Sequence, residues 1–269
     1  MLKYLVIMVC ALTSLSVEAK TVLITGSNRG IGLEFVTQYA AAGWDVIATS
    51  RSPANDEDLQ ALAAANPKIK IEQLDVTDLE RISALAEAYK DTPIDVLINN
   101  AGMFGDRDGQ TWGQLDRDLF QQVMDVNVVG PLKMSEAFAP HVAASTDKKI
   151  VVISSTAGSI ASVQRSPGAP YYAISKAAVN MAMRGTAMRL KDQGIAVAIL
   201  MPGAVDTRML REAFGLDQAT AEASDDFDYG GFSPLTTEQS VSQMRATTAS
   251  LTLERSGDFL NYDGTTIPW

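Results

Sequence analysis

Thr21-Val22-Leu23-Ile24-Thr25-Gly26-Ser27-Asn28-Arg29-Gly30-Ile31-Gly32 decides the architecture of this chain. Thr21–Thr25 is a short apolar run rich in β-branched residues, which reads as a strand. It passes directly into a glycine-rich turn, and the turn into a helical stretch, Gly30–Ala42. Glycines there permit a tight turn and close backbone approach. The helix N-terminus behind them offers unpaired N–H groups and the positive end of its dipole to an anion. The spacing is GxxxGxG, so the common GxGxxG dinucleotide fingerprint is not met literally. Its place after the first strand is nevertheless where a parallel α/β sheet takes a cofactor.

Outward from this turn the alternation continues. Strands are predicted at Asp45–Thr49, Ile69–Leu74, Asp95–Ile98, Ile150–Ser154, Ile195–Leu200 and Asp258–Asn261. Helices are predicted at Asp56–Ala65, Leu79–Lys90, Leu115–Ala144 (bent around Gly130-Pro131), Tyr171–Asp192 and near Glu238–Leu253. Strands that are apolar almost throughout, each followed by a helix, imply a sheet covered on both faces. The expectation is one doubly wound, Rossmann-type α/β domain over residues 20–269, with a mostly parallel seven-stranded sheet.

Composition narrows the function. Of 269 residues, 46% are hydrophobic and 20% charged, an ordinary globular balance. A net charge of −10 leaves no basic excess for general nucleic-acid binding, though it permits a local basic pocket. Cys10 and His141 are the only residues of their kinds, which excludes an intrachain disulfide, a cysteine-based metal site and a multi-histidine one. A Ser–His–Asp mechanism would need His141, which follows Pro140 late in a helical stretch and reads as a surface residue. Residues 1–19 stand apart: Lys3 precedes an uncharged run, Tyr4–Val17, short for a membrane span and suited to a signal-peptide core. Three readings stay open: secretory export with cleavage before Lys20, retention as an N-terminal membrane anchor, or a misassigned start to a cytoplasmic protein.

Tyr172 and Lys176, four apart at the head of the helix from Tyr171, share one helix face. A free tyrosine titrates near ~10, too high for ready proton transfer at neutral pH. A neighbouring ammonium favours the phenolate, so Lys176 is expected to lower the Tyr172 pKa.

The motifs Thr25–Gly32, Asn99-Asn100-Ala101-Gly102, Asn127, Ser154-Ser155, Tyr172-xxx-Lys176 and Pro202-Gly203 occur in the order and rough spacing of the short-chain dehydrogenase/reductase family. The resemblance runs from Lys20 to the C-terminus. The ending Gly257–Gly264 with Ile267-Pro268-Trp269 further resembles the carbonyl-reductase-like branch that includes the C-factor and sniffer proteins. This resemblance implies an oxidoreductase that reduces an aldehyde or ketone to an alcohol, or runs in reverse. A catalytically silent NADP(H)-binding sensor or scaffold is the alternative. Tyr172 would be the general acid/base, Lys176 the ribose anchor, Ser155 the hydrogen-bond donor to the substrate oxygen, and Asn127 the holder of a water beside Lys176. The family's usual separation of thirteen residues would select Ser159, but Ser155, seventeen before Tyr172, stands at the strand's end and is preferred.

For the cofactor, the resemblance implies contacts from Gly26, Ser27, Asn28, Arg29, Gly30, Ile31 and Gly32. Asn99, Asn100, Ala101 and Gly102 would line the ribose, with Pro202, Gly203, Val205 and Thr207 at the nicotinamide end. Asp75 and Val76 end the third strand; Asp75 would meet the adenine amino group or cap the next helix, and Asp78 is the preferred cap. About twenty positions past the glycine turn an acidic residue would bind a ribose 2′-hydroxyl. Ser50 and Arg51 stand there instead. With Arg29 they suit a 2′-phosphate, so NADP(H) is expected over NAD(H). The stretch about 204–236 reads as a substrate lid, mixing Met209, Leu210, Phe214, Leu216, Phe227 and Phe232 with Asp225, Asp226 and Asp228. Relatives associate through the helices holding Asn127 and Tyr172, which implies a homodimer or homotetramer. Membrane contact is expected only if residues 1–19 are retained.

Overall fold

In the computed structural model, residues 19–163, 168–216, 220 and 227–269 are described. Residues 1–18, with Cys10 and the leader or anchor expected there, and the acidic pair Asp225 and Asp226 lie outside them. Among the described residues no helix is long and apolar enough to cross a membrane.

Seven strands form one wholly parallel sheet in the order β3-β2-β1-β4-β5-β6-β7. They are β1 (Thr21–Ile24), β2 (Asp45–Ser50), β3 (Ile69–Gln73), β4 (Val96–Asn99), β5 (Lys149–Ile153), β6 (Ala196–Met201) and β7 (Phe259–Asn261). The helices are α1 (Gly30–Ala41), α2 (Glu57–Ala65), α3 (Leu79–Ala88), α4 (Arg117–Met124), α5 (Gly130–Ala144), α6 (Pro170–Leu190), the short α7 (Arg208–Ala213) and α8 (Thr237–Ala249). Successive side chains on a strand face opposite ways, so each strand feeds two cores. Leu23, Leu97, Ile150 and Val197 pack with Met134, Phe138, Val179 and Met183 from α5 and α6. Val22, Ile24, Ile98 and Val151 pack with Phe35, Leu59, Val241 and Met244 from α1, α2 and α8. β1 pairs with both β2 and β4. The strand order therefore reverses at β1/β4, and the crevice of such a sheet opens at that reversal, outside the carboxyl ends of the strands.

Two expectations change here. The region expected as one helical stretch bent around Gly130-Pro131 is helical without a break from Arg117 to Ala144, but its irregularity is not a proline kink. A π-helical turn, Asp125–Val129, separates α4 from α5 and absorbs the irregularity just ahead of Pro131. Gly130 is there for close approach, since a Cβ would stand 3.0 Å from both the Val76 side chain and its carbonyl oxygen. His141, expected at the surface, is buried at 7% exposure. Its Nε2 meets the Ala86 carbonyl at 3.0 Å and its ring lies 5.0 Å from that of Phe138. The cause is the packing of α5 on α3, which no local pattern announced. Asp78 caps α3 as expected, accepting from the Arg81 N–H at 2.8 Å.

Candidate active site

The glycine turn after β1 and the Asn99–Gly102 segment after β4 are stitched together. Thr25 Oγ1 accepts from the Asn100 and Ala101 N–H groups at 3.0 Å each. Asn100 Nδ2 donates back to the Thr25 and Gly26 carbonyls, also at 3.0 Å. Gly32 admits no side chain, because a Cβ would sit 2.0 Å from the Gly26 carbonyl oxygen. At Gly26, with φ +66°, a Cβ would come within 2.9 Å of Ala101. Several expected contact residues thus turn their side chains inward. Ser27 Oγ donates to the Ile24 carbonyl, Ile31 packs on the core, and Asn99 Nδ2 donates to Ser135. With those side chains turned away, α1 begins with no side-chain cap on its N–H groups. A helix start of this kind behind a glycine cradle fits a dinucleotide's phosphates.

At the carboxyl ends of β2 and β3, Arg51 is exposed and lines an open cavity of about 550 Å³ with Gln73, Asp75 and Arg81. Asp75 uses Oδ1 within its own turn, accepting from the Thr77 N–H at 2.9 Å and its hydroxyl at 2.8 Å. Val76 is buried under α5. One residue here was missed from the sequence. The Asp56 carboxylate swings back to take the Ser50 hydroxyl and, at 3.0 Å, the Asn28 amide. A carboxylate does arrive where a ribose acid was sought and not found, carried by the Pro53–Asn55 turn. Its only sequence signal was an Asp at the head of α2, which reads equally as a cap.

The catalytic candidates meet at the carboxyl end of β5. Ser154 Oγ donates to Asn180 at 2.5 Å, bolting the strand end to α6. Gly158 presses on the same helix, where a Cβ would come within 2.6 Å of Lys176 backbone. These contacts set Ser155 beside Tyr172, near enough for its hydroxyl to favour the phenolate, while Ser155 Oγ accepts from the Ala157 N–H at 3.1 Å. Ser159 is instead wholly buried and spent on structure: Oγ donates to Pro268 O at 2.6 Å and meets Ser162 Oγ at 2.8 Å. Lys176 Nζ lies 5.5 Å from the Tyr172 ring centre and donates to the Ile153 carbonyl at 2.9 Å. Asn127, in the π-helical turn, holds Met103 through both its carbonyl and amide at 2.9 Å, and donates to Ser175 Oγ. A Cβ on Gly102 would stand 3.4 Å from Asn127 Oδ1 and 3.7 Å from Lys176 Nζ, so the end of the Asn99–Gly102 segment lies beside both side chains.

The electrostatics reverse one expectation. The Tyr172 pKa is raised, not lowered: burial disfavours the phenolate and the nearby Ser155 hydroxyl only partly offsets this. Lys176 exerts no corrective pull, because burial pushes its own pKa down to about 8. The i, i+4 spacing placed the amine correctly, but desolvation outweighs the charge that spacing brings.

Beyond β6, Pro202 is fastened to α8 by the Ser240 hydroxyl at 2.6 Å, and Gly203 (φ +85°) lies against Tyr262 and Leu235. Val205 bridges to Leu235, closing the base of the expected lid. Thr207 caps α7 and its methyl lies 3.5 Å from where a Gly30 Cβ would stand, which brings this loop to the glycine turn. In the stretch expected to be a lid, Phe214, Phe227, Tyr229 and Phe232 form one aromatic cluster with ring centres 4.7–6.4 Å apart. Arg107 holds the end of α7, donating to the Ala213 carbonyl at 3.0 Å.

Residues 20–215 match the family model for short chain dehydrogenases. An uncharacterised oxidoreductase of Schizosaccharomyces pombe is 33% identical over 263 residues, covering 95% of this chain and 100% of its own. A short chain dehydrogenase of Penicillium aethiopicum is 34% identical over 257 residues, covering 93% of this chain and 99% of its own. The chain belongs to the short-chain dehydrogenase family of oxidoreductases. Within it, the likeness runs to the carbonyl-reductase-like branch. The NADPH-bound carbonyl reductase from chicken fatty liver superposes with a TM-score of 0.79 at 33% identity, covering 93% of this chain and 99% of that one. The carbonyl reductase Sniffer of D. melanogaster does so with a TM-score of 0.78 at 26% identity, covering 93% and 100%.

Proposed function

We propose that this protein reduces the carbonyl of a hydrophobic aldehyde or ketone to an alcohol, using NADP(H). The observation that carries the reading is the gathering of Ser155, Tyr172 and Lys176 at the β5–α6 junction, with Gly102 and Asn127 beside Lys176. When bound, the nicotinamide supplies a hydride to the carbonyl carbon. Tyr172 gives its phenolic proton to the carbonyl oxygen, and Ser155 donates a hydrogen bond to the same oxygen as charge develops on it. The phenol is protonated at neutral pH, the form that reduction needs; its raised pKa weakens it as an acid, but the alkoxide that develops on the substrate is more basic still and takes the proton. Lys176, whose Nζ donates to the Ile153 carbonyl, would anchor ribose hydroxyls, and Asn127 holds the Met103 segment through two bonds.

For the cofactor, Arg51 is an exposed cation at the carboxyl end of β2 and Arg29 an exposed one in the glycine turn, and the two suit a 2′-phosphate. Asp56 works against it by engaging Ser50 and Asn28. The NADPH of the chicken-liver relative supports the phosphate reading. The aromatic lid favours an apolar substrate over a sugar. Exposed Leu132, Met181 and Met188 on α5 and α6 support association through those helices.

The test is oxidation of NADPH, against NADH, with a panel of aliphatic and aromatic ketones and aldehydes, for wild type and Tyr172→Phe. Turnover in wild type and its loss by at least about 100-fold in the variant, with NADPH binding retained, is the expected result. NADPH binding with no turnover of any carbonyl would leave a cofactor-binding sensor instead.

A further inference from the structure

The N-terminus of α6 lacks a local cap. Ala169 has no side-chain acceptor, and Pro170 contributes no N–H. The first two donors of the helix are therefore the Tyr171 and Tyr172 N–H groups, and both go to one atom far away in sequence. Gln110 Oε1 accepts them at 3.0 and 3.3 Å, across 61 and 62 residues. The other end of the same amide is equally committed: Nε2 donates to the Phe104 and Asp106 carbonyls at 3.0 Å each. Gln110 is 1% exposed, so water offers no substitute for either set of bonds. Phe104, whose carbonyl Gln110 holds, lays its ring 5.1 Å from that of Tyr172.

We propose that Gln110 is a positioning residue for Tyr172, fixing the phenol from two sides at once. Through Oε1 it sets the backbone from which the tyrosine projects. Through Nε2 it sets the loop whose aromatic ring packs on the tyrosine ring. A serine at position 169 would cap the helix locally, but it would leave the loop and its ring untied. The long-range amide does both. The proposal rests on Tyr172 being the proton donor, as argued above.

The experiment compares Gln110→Met, Gln110→Glu, and Gln110→Met combined with Ala169→Ser. Three readouts are followed: kcat and KM for NADPH and a carbonyl, amide exchange at Tyr171 and Tyr172 in the cofactor-free protein, and the ¹⁹F signal of 3-fluorotyrosine at position 172 through a pH titration. Gln110→Met is expected to lower kcat at least about tenfold, with KM for NADPH within about twofold, since small misplacements of a reacting group cost rate. It should also speed exchange at both amides and alter the fluorine line and its titration. Adding Ala169→Ser should restore amide protection but neither kcat nor the fluorine signal. Gln110→Glu keeps an acceptor at the helix start, where the dipole favours it, and loses the two donations to the loop. It should retain amide protection, lose kcat to a similar extent, and serves if the methionine variant does not fold. A kcat within twofold of wild type in both single variants, or its full return with Ala169→Ser, would overturn the proposal. If wild type reduces no carbonyl at all, the functional reading fails, and the exchange and fluorine data still decide on Gln110: an unaltered fluorine signal refutes it and an altered one upholds it.

Discussion

Lys176→Met is expected to abolish turnover and yet make the protein more stable at neutral pH. Burial pushes the lysine from 10.5 down to about 8, so folding takes up a charged group that its surroundings disfavour. At about 1.4 kcal/mol per pH unit, that fall corresponds to about 3 kcal/mol of lost stability wherever the amine is protonated in both states, that is below about pH 8. Methionine removes this cost at similar length and leaves the Ile153 carbonyl without its 2.9 Å donor, returning about 1 kcal/mol. The net gain is about 2 kcal/mol, or roughly 4–8 °C in Tm for a domain of this size. Between about pH 8 and 10.5 the unfolded chain binds a proton that the folded one does not, so wild-type stability rises with pH relative to the variant. By pH 10.5 the advantage of methionine should have vanished or reversed. Thermal unfolding of both cofactor-free proteins at pH 7 and pH 10.5 measures this, because every other titrating group cancels in the difference. A variant less stable at pH 7, or a gap that does not change with pH, would refute the reasoning.

Two comparisons test the rest of the site. Ser155→Ala should lower kcat by about 100-fold while moving Tm by less than about 4 °C; Ser159→Ala should cost about 1 kcal/mol by removing its bonds to the exposed Ser162 and Pro268 and reduce kcat less than tenfold. The opposite pattern in steady-state rates and thermal melts would reverse the choice of serine. Gly32→Ala, whose Cβ would stand 2.0 Å from a backbone oxygen, should destabilise by about 3 kcal/mol or more and weaken dinucleotide binding. Gly185→Ala, mid-helix and touching nothing within 4 Å, should stabilise by about 0.5–1 kcal/mol, as read by denaturant titration.

The order of the strands and long helices was legible from Lys20 onward because most strands are short apolar runs separated by helical stretches, whereas α7 formed inside a segment read as loop. The glycine turn was legible for the same local reason: its conformation is built from residues a few positions apart. So was the sharing of one helix face by Tyr172 and Lys176, a matter of helical pitch alone. The choice between Ser155 and Ser159 was half legible. The strand end favoured Ser155, but only the contact with Pro268, over a hundred residues away, shows Ser159 to be occupied.

Three further features belong to the tertiary structure alone. His141 is buried because α5 packs on α3, and Asp56 reaches Ser50 because a short helical turn folds back over β2. Gln110 finds the head of α6 from sixty residues upstream, in a segment whose own sequence carries no sign of it. The sign of the Tyr172 shift is of the same kind. Spacing along a helix fixes which groups are neighbours, whereas desolvation depends on everything that closes around them, and that is decided only when the sheet, helices and loops assemble.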